Sequence, residues 1–140
     1  MTLSRGIGAK APGCRRPRTG ELMLRLTTHV LDTSSGLPAA DLAVVLWRLS
    51  PDGSRRRICE HRTNADGRVD RPILEDDALV PGTFELVFAV GDYFRRCGLV
   101  LCEPAFLDEV PLRFGIAAGT GHLHVPLLVA PFGYSTYRGS

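Results

Sequence analysis

From residue 24 onward, apolar and polar positions alternate with a period of two. Leu24, Leu26, Thr28 and Val30 fall on one side, and Arg25, Thr27, His29 and Leu31 on the other. Successive side chains of a strand point to opposite faces of a sheet, so this pattern predicts a strand with His29 on its outer side. The pattern returns near the other end of the chain. Leu123, Val125, Leu127 and Val129 share the core parity, while His122, His124, Pro126 and Leu128 share the other. Between them lie an apolar strand over 41–49, a Pro-Asp-Gly hairpin signal at 51–53 and an arginine-rich strand over 55–63 that suits a solvated edge. A tight turn over 63–68 delivers Arg68 at the start of a short strand. Strands over 83–90 and 109–116 follow, with one short helix over 92–97 stopped by Gly98. In a last strand, Ser135 and Tyr137 share one parity and Tyr134, Thr136 and Arg138 the other. Seven or eight short strands punctuated by turns predict an all-β antiparallel sandwich of two sheets.

At 140 residues the chain suits one domain with a single core. Residues 23–140 carry the strand pattern. Residues 1–22 are rich in Gly, Pro and Arg, hold little apolar surface to offset the entropy of ordering, and are expected to be a disordered extension. A targeting segment and a translation start at Met23 are the other readings of that stretch. The formal charge is +2, and much of the basic excess (Arg5, Lys10, Arg15, Arg16, Arg18) precedes the first acid, Glu21. The near balance elsewhere calls for no nucleic-acid footprint, and no apolar run is long enough to span a membrane. Cys14, Cys59, Cys97 and Cys102 match no zinc-module spacing, which points to four inert thiols in a reducing cytoplasm.

Chemistry is concentrated in few places. His29 and His124 both sit opposite the core parity of their strands, beside Leu31, Pro126 and Leu128. An outer face that is partly apolar suggests cover by another subunit, and imidazoles in such a cleft titrate in the range useful for proton transfer. The His122-x-His124 pair, with His29 as a third ligand, is the alternative signature of a zinc site, though no further ligand set stands out. Arg68 is either a surface charge at a turn or a fixed guanidinium for a planar anion. Ser135 lacks an evident acid partner, so no serine-hydrolase triad is indicated. The closing run FGYSTYRGS carries aromatics and an arginine, and reads as a placed segment rather than a frayed one.

Four stretches together resemble the 5-hydroxyisourate hydrolases, the enzyme branch of the transthyretin-like family: LTTHVLD at 26–32, the turn at 63–68, HLHVPLLVAP at 122–131 and YRGS at 137–140. GDYF at 91–94 and PAFLDEVPLRF at 104–114 also fit. The resemblance implies a transthyretin-like sandwich with one short helix, assembled as a homotetramer (a dimer of dimers) with its sites where dimers meet. It implies ring-opening hydrolysis of 5-hydroxyisourate to 2-oxo-4-hydroxy-4-carboxy-5-ureidoimidazoline, without a cofactor or metal. The family's catalytic set falls on His29, Arg68 and His124, and Tyr137, Arg138, Gly139 and Ser140 shape the pocket. Ser135 is a further candidate for its lining, and His122 a weaker one. The alternatives are a non-catalytic carrier of small ligands with the same fold, a zinc hydrolase on His29, His122 and His124, and a plain interaction module.

Overall fold

In the computed structural model, residues 24–76 and 81–139 are described, apart from the side chain of Asp76. Residues 1–22 and Ser140 therefore lie outside the described residues. Eleven strands and one helix follow in order: β1 (Leu24–Thr27), β2 (Val30–Asp32), β3 (Leu37–Pro38), β4 (Ala43–Leu49), β5 (Arg55–Arg62), β6 (Leu74–Asp76), β7 (Gly82–Phe88), α1 (Val90–Arg96), β8 (Val110–Ile116), β9 (His122–His124), β10 (Leu127–Ala130) and β11 (Gly133–Thr136).

One antiparallel sheet runs β5-β4-β7-β8, with arginine-rich β5 at its edge as the polar pattern foretold. Two smaller sheets, β6-β1-β9 and β11-β10-β2-β3, are joined along the chain. Strands β1 and β2 are halves of one period-two run, and β9 and β10 are halves of another. Between the halves the ladder is carried by Val125 N–H to Thr27 O and Leu127 N–H to His29 O, both 2.9 Å. Pro126, which has no N–H to give, sits at the interruption. The side chains with core parity on both layers form one apolar cluster, with Leu26, Val30, Leu127 and Val129 from one side and Leu46, Phe84, Leu86 and Phe88 from the other.

The all-β sandwich with a short helix is the fold the alternation predicted, although the described residues form eleven strands in three sheets where seven or eight in two were expected, because single runs are split into shorter strands; two further differences concern direction and bounds. First, β1 pairs with β9 and β2 with β10 in parallel, so the sandwich is not purely antiparallel. Periodicity reports which face a residue takes and says nothing about strand direction. Second, α1 starts two residues before the predicted helix. Val90 is fully buried and anchors the first turn in the core, while Ala89 N–H bonds to Ala43 O at 2.9 Å. Asp92 is thus a first-turn acid beside Arg95 rather than a cap. Among the described residues, Cys59, Cys97 and Cys102 are free thiols.

The parallel β1–β9 pairing is what makes the site. Its register sets Arg25 opposite His122, Leu26 opposite Leu123 and Thr27 opposite His124. Leucines meet over the core, and the histidines and their polar partners meet on the far side. Buried Thr28 locks the pair by donating to Val125 O at 2.6 Å.

Candidate active site

Arg25, Thr27, Thr28, Arg68, Val69, His122 and His124 line a cleft of about 450 Å³. His124 is half-buried there, and His122 is exposed at its margin. The Thr27 hydroxyl lies 2.8 Å from His124 Nδ1 and 3.1 Å from His122 Nε2, so one oxygen joins the two rings. His124 Nε2 has no hydrogen-bond partner among the described residues.

Arg68 arrives from the turn at 63–68, and each step of its placement has a visible cause. The Asn64 side-chain oxygen accepts the N–H groups of Asp66 (2.9 Å) and Arg68 (3.1 Å), and Asn64 N–H donates to Arg68 O at 2.7 Å. Gly67 adopts φ +74°, a left-handed conformation that side chains rarely take. Its carbonyl accepts Val30 N–H at 2.8 Å, and a Cβ on it would stand 2.5 Å from Val30 O. Glycine is needed here twice, for backbone conformation and for closeness. The outcome is a main-chain bridge between His29 and Arg68, which sets the guanidinium beside the imidazole. Among the described residues no carboxylate pairs with the Arg68 side chain, so its charge acts on the histidines.

Burial lowers the pKa of both His29 and His124 from 6.5, and the Arg68 cation lowers each further. His122 and His29 add smaller contributions in the same direction at His124. At His29 a hydrogen bond to the Asp66 main chain and the Asp66 carboxylate pull the other way without reversing the shift. Near neutral pH both rings are therefore uncharged, the form that accepts a proton. The fixed guanidinium beside them is suited to an anionic or electron-rich planar group.

The closing segment folds back onto this cleft. Gly139 N–H donates to His124 O at 2.8 Å, forming a bridge between the two residues. A Cβ on Gly139 would sit 2.6 Å from His124 Cδ2, so the segment lies directly against the ring. Tyr137 and Arg138 instead line a second hollow of about 380 Å³ with Leu123 and Val125, on the side of the strand opposite His124. Ser135 stands opposite Leu128 in the β10–β11 ladder, which puts it on the histidine face but outside the residues lining the cleft. The structure thus brings Arg68, His122 and His124 together in the cleft, sets His29 beside Arg68 but outside the lining residues and Gly139 against His124, holds Ser135, Tyr137 and Arg138 at a remove, and leaves Ser140 outside the described residues.

Three participants were not singled out in the sequence: Thr27, Asn64 and Gly67. Thr27 shared the outer parity with His29, but its role depends on a register between strands 97 residues apart. Among the described residues, no group of three or more His, Cys, Asp or Glu side chains is placed to share a metal ion.

Residues 26–139 match the HIUase/Transthyretin family. A protein of Rhizobium meliloti named 5-hydroxyisourate hydrolase 2 is 59% identical over 83% of this chain and 96% of its own length. The 5-hydroxyisourate hydrolase of Ralstonia nicotianae is 57% identical over 84% of this chain and 100% of its own. Among solved structures, the 5-hydroxyisourate hydrolase of Klebsiella pneumoniae aligns with a TM-score of 0.66 and 34% identity, covering 83% of this chain and 99% of that one.

Proposed function

Because this chain belongs to the HIUase/transthyretin family, we propose that it hydrolyses 5-hydroxyisourate, opening the ring to 2-oxo-4-hydroxy-4-carboxy-5-ureidoimidazoline in urate breakdown. The observation that carries the reading is the pair of uncharged, half-buried imidazoles gathered around one guanidinium that no described carboxylate neutralises. Water adds to a ring amide carbonyl and needs a base to take its proton. His29 and His124 form the acid/base machinery that orients and deprotonates this water, and their lowered pKa values keep them in the accepting form. Arg68 holds the planar substrate and stabilises the negative charge that develops on the carbonyl oxygen. The ring nitrogen that leaves needs a proton in return, which the same machinery delivers.

Ser135, Tyr137, Arg138, Gly139 and Ser140 are assigned to substrate binding on the family's closing motif; the contact of Gly139 with His124 supports its part, while Tyr137 and Arg138, which line the hollow on the other side of the strand, rest on the resemblance alone. The protein acts as a homotetramer, with sites roofed where dimers meet. Leu31 and Leu128, half-buried on the face that carries the histidines, support that cover. Residues 23–140 form the hydrolase unit, which works in the cytoplasm without cofactor or metal. A carrier with this fold would leave two imidazoles focused on one guanidinium without a use.

The test is the decay of freshly generated 5-hydroxyisourate, followed spectrophotometrically with the product identified. Acceleration over the spontaneous reaction, unchanged after exhaustive chelation, is the expected result. No acceleration would refute the activity, and loss on chelation with recovery on adding zinc would transfer the chemistry to a metal.

A further inference from the structure

The hydrogen bonds of Thr27 pose a question of proton count. Its hydroxyl has one hydrogen to give and contacts two ring nitrogens, His124 Nδ1 at 2.8 Å and His122 Nε2 at 3.1 Å. For both contacts to be hydrogen bonds, at least one ring must donate to the oxygen, and the simplest arrangements pair one donating ring with one accepting ring. In the first, His124 Nδ1–H donates to Oγ1 and the hydroxyl donates to His122 Nε2. His124 Nε2 then carries a lone pair and is a base. In the second, the hydroxyl donates to His124 Nδ1 and His122 Nε2–H donates to the hydroxyl. His124 Nε2–H is then an acid. The two arrangements differ only in where the protons sit along one line, and in the single chain the outer ring stands exposed at the margin of the cleft.

We propose that Thr27 is a positioning residue that works as a proton bridge, switching His124 between base and acid within one turnover and linking it to solvent through His122. This rests on the hydrolytic reading above. In the attack step, water gives a proton to His124 Nε2 as its oxygen bonds the amide carbon. His124 Nδ1–H passes to Thr27 Oγ1, the hydroxyl hydrogen passes to His122 Nε2, and His122 Nδ1–H goes to solvent. In the ring-opening step the C–N bond breaks and the leaving nitrogen takes the proton of His124 Nε2. The line then runs backwards, from solvent to His122 Nδ1, from Nε2–H to the hydroxyl, and from the hydroxyl to His124 Nδ1. The net transfer is one proton from water to the leaving amine, and every group ends as it began. The bridge also gives a use to the second histidine of β9, two residues from His124.

Around the bridge the other charged or titratable groups are Arg25, paired with Glu75 at 3.5 Å, together with Arg68 and His29. Among the described residues none of these is a hydrogen-bond partner of the Thr27 hydroxyl, so its removal breaks the line without unpairing another group.

Thr27→Val keeps the shape and strand preference and deletes the hydroxyl, while Thr27→Ser restores it. We expect the valine variant to lose about 10-fold or more in kcat, a modest share of the roughly 10²–10⁴ that a positioned acid/base contributes, with KM nearly unchanged. Its pH–rate profile should shift, because His124 loses its fixed tautomer. The serine variant should recover most of kcat and the parental profile. In the unliganded protein, ring nitrogen shifts measured by NMR should show His124 in a defined tautomer for the parent and a mixture for the valine variant. Valine and serine variants equally impaired would reduce Thr27 to a packing residue, and a valine variant with parental kcat and profile would remove the bridge. If the parent itself turns over no substrate, the hydrolytic reading fails. The NMR comparison still judges the bridge, and identical His124 shifts in parent and valine variant would overturn it.

Discussion

Replacing Gly139 by alanine sets one methyl group against the imidazole of His124. The added carbon would stand 2.6 Å from Cδ2, 3.1 Å from Cβ and 3.2 Å from Cγ of that residue. Non-bonded carbons rest at about 3.5–4.0 Å, so ring and segment must separate by about 1 Å. Neither moves freely. The ring is held at Nδ1 by Thr27, and the segment is tied to His124 O by its own N–H at 2.8 Å. A shift of about 1 Å in a group that must meet the reacting atoms costs about 10²-fold in rate. The clash overpacks a half-buried contact rather than the core, so stability should fall by about 1 kcal/mol, well short of unfolding the chain. Steady-state turnover of 5-hydroxyisourate and thermal unfolding of the same preparations read both quantities. Gly133→Ala is the control, since a Cβ there meets nothing within 4 Å. If Gly139→Ala retains parental kcat, or if Gly133→Ala falls as far, contact with His124 is not what the glycine provides.

Since His29 and His124 are held below 6.5, the acid limb of kcat/KM should be centred below that value; a limb centred at or above 6.5 would contradict the shifts. The same shifts bear on folding: the unfolded rings take up protons first, so stability is full above 6.5 and is lost as the pH falls through the depressed native values, a trend readable in urea midpoints. Arg68→Gln removes a cation from beside both rings, so its acid limb should move toward higher pH while KM rises; an unmoved limb would mean the guanidinium does not act on them. Gly67→Ala forces a side chain into φ +74° and against Val30 O, and should cost about 1–3 kcal/mol in urea unfolding together with activity, because the turn that carries Arg68 must shift. Light scattering should return four times the mass of one chain, and a monomer with full activity would remove the proposed roof.

Much of the site's geometry was legible in the alternation of residue types. Leu24, Leu26 and Val30 share a core parity in the first run, as do Leu123 and Leu127 in the last. That alone turns His29 and His124 outward, and the buried cluster bears it out. The arginines of β5 marked a solvated edge for a similar reason. What alternation left open was the relation between distant strands. That β1 and β9 run parallel, with Thr27 level with His124, follows from how the chain crosses between layers, and no local pattern encodes it. Thr27 therefore looked like one polar residue among several. The closing segment shows the same limit: parity grouped Ser135 with Tyr137, yet the strand ends at Thr136, and Tyr137 turns with Arg138 toward the hollow on the opposite side. The resemblance to a known family supplied the roles proposed for His29, Arg68 and His124, and burial with electrostatics gives a physical ground for proposing them.

The decisive experiment is the turnover of 5-hydroxyisourate by His124→Ala and His29→Ala, each checked for a parental circular-dichroism spectrum. A positioned acid/base contributes about 10²–10⁴ in rate, and a loss of that order is expected in each variant. Either variant turning over substrate at the parental rate while folded would contradict the assignment of both imidazoles to the machinery that orients and deprotonates the water.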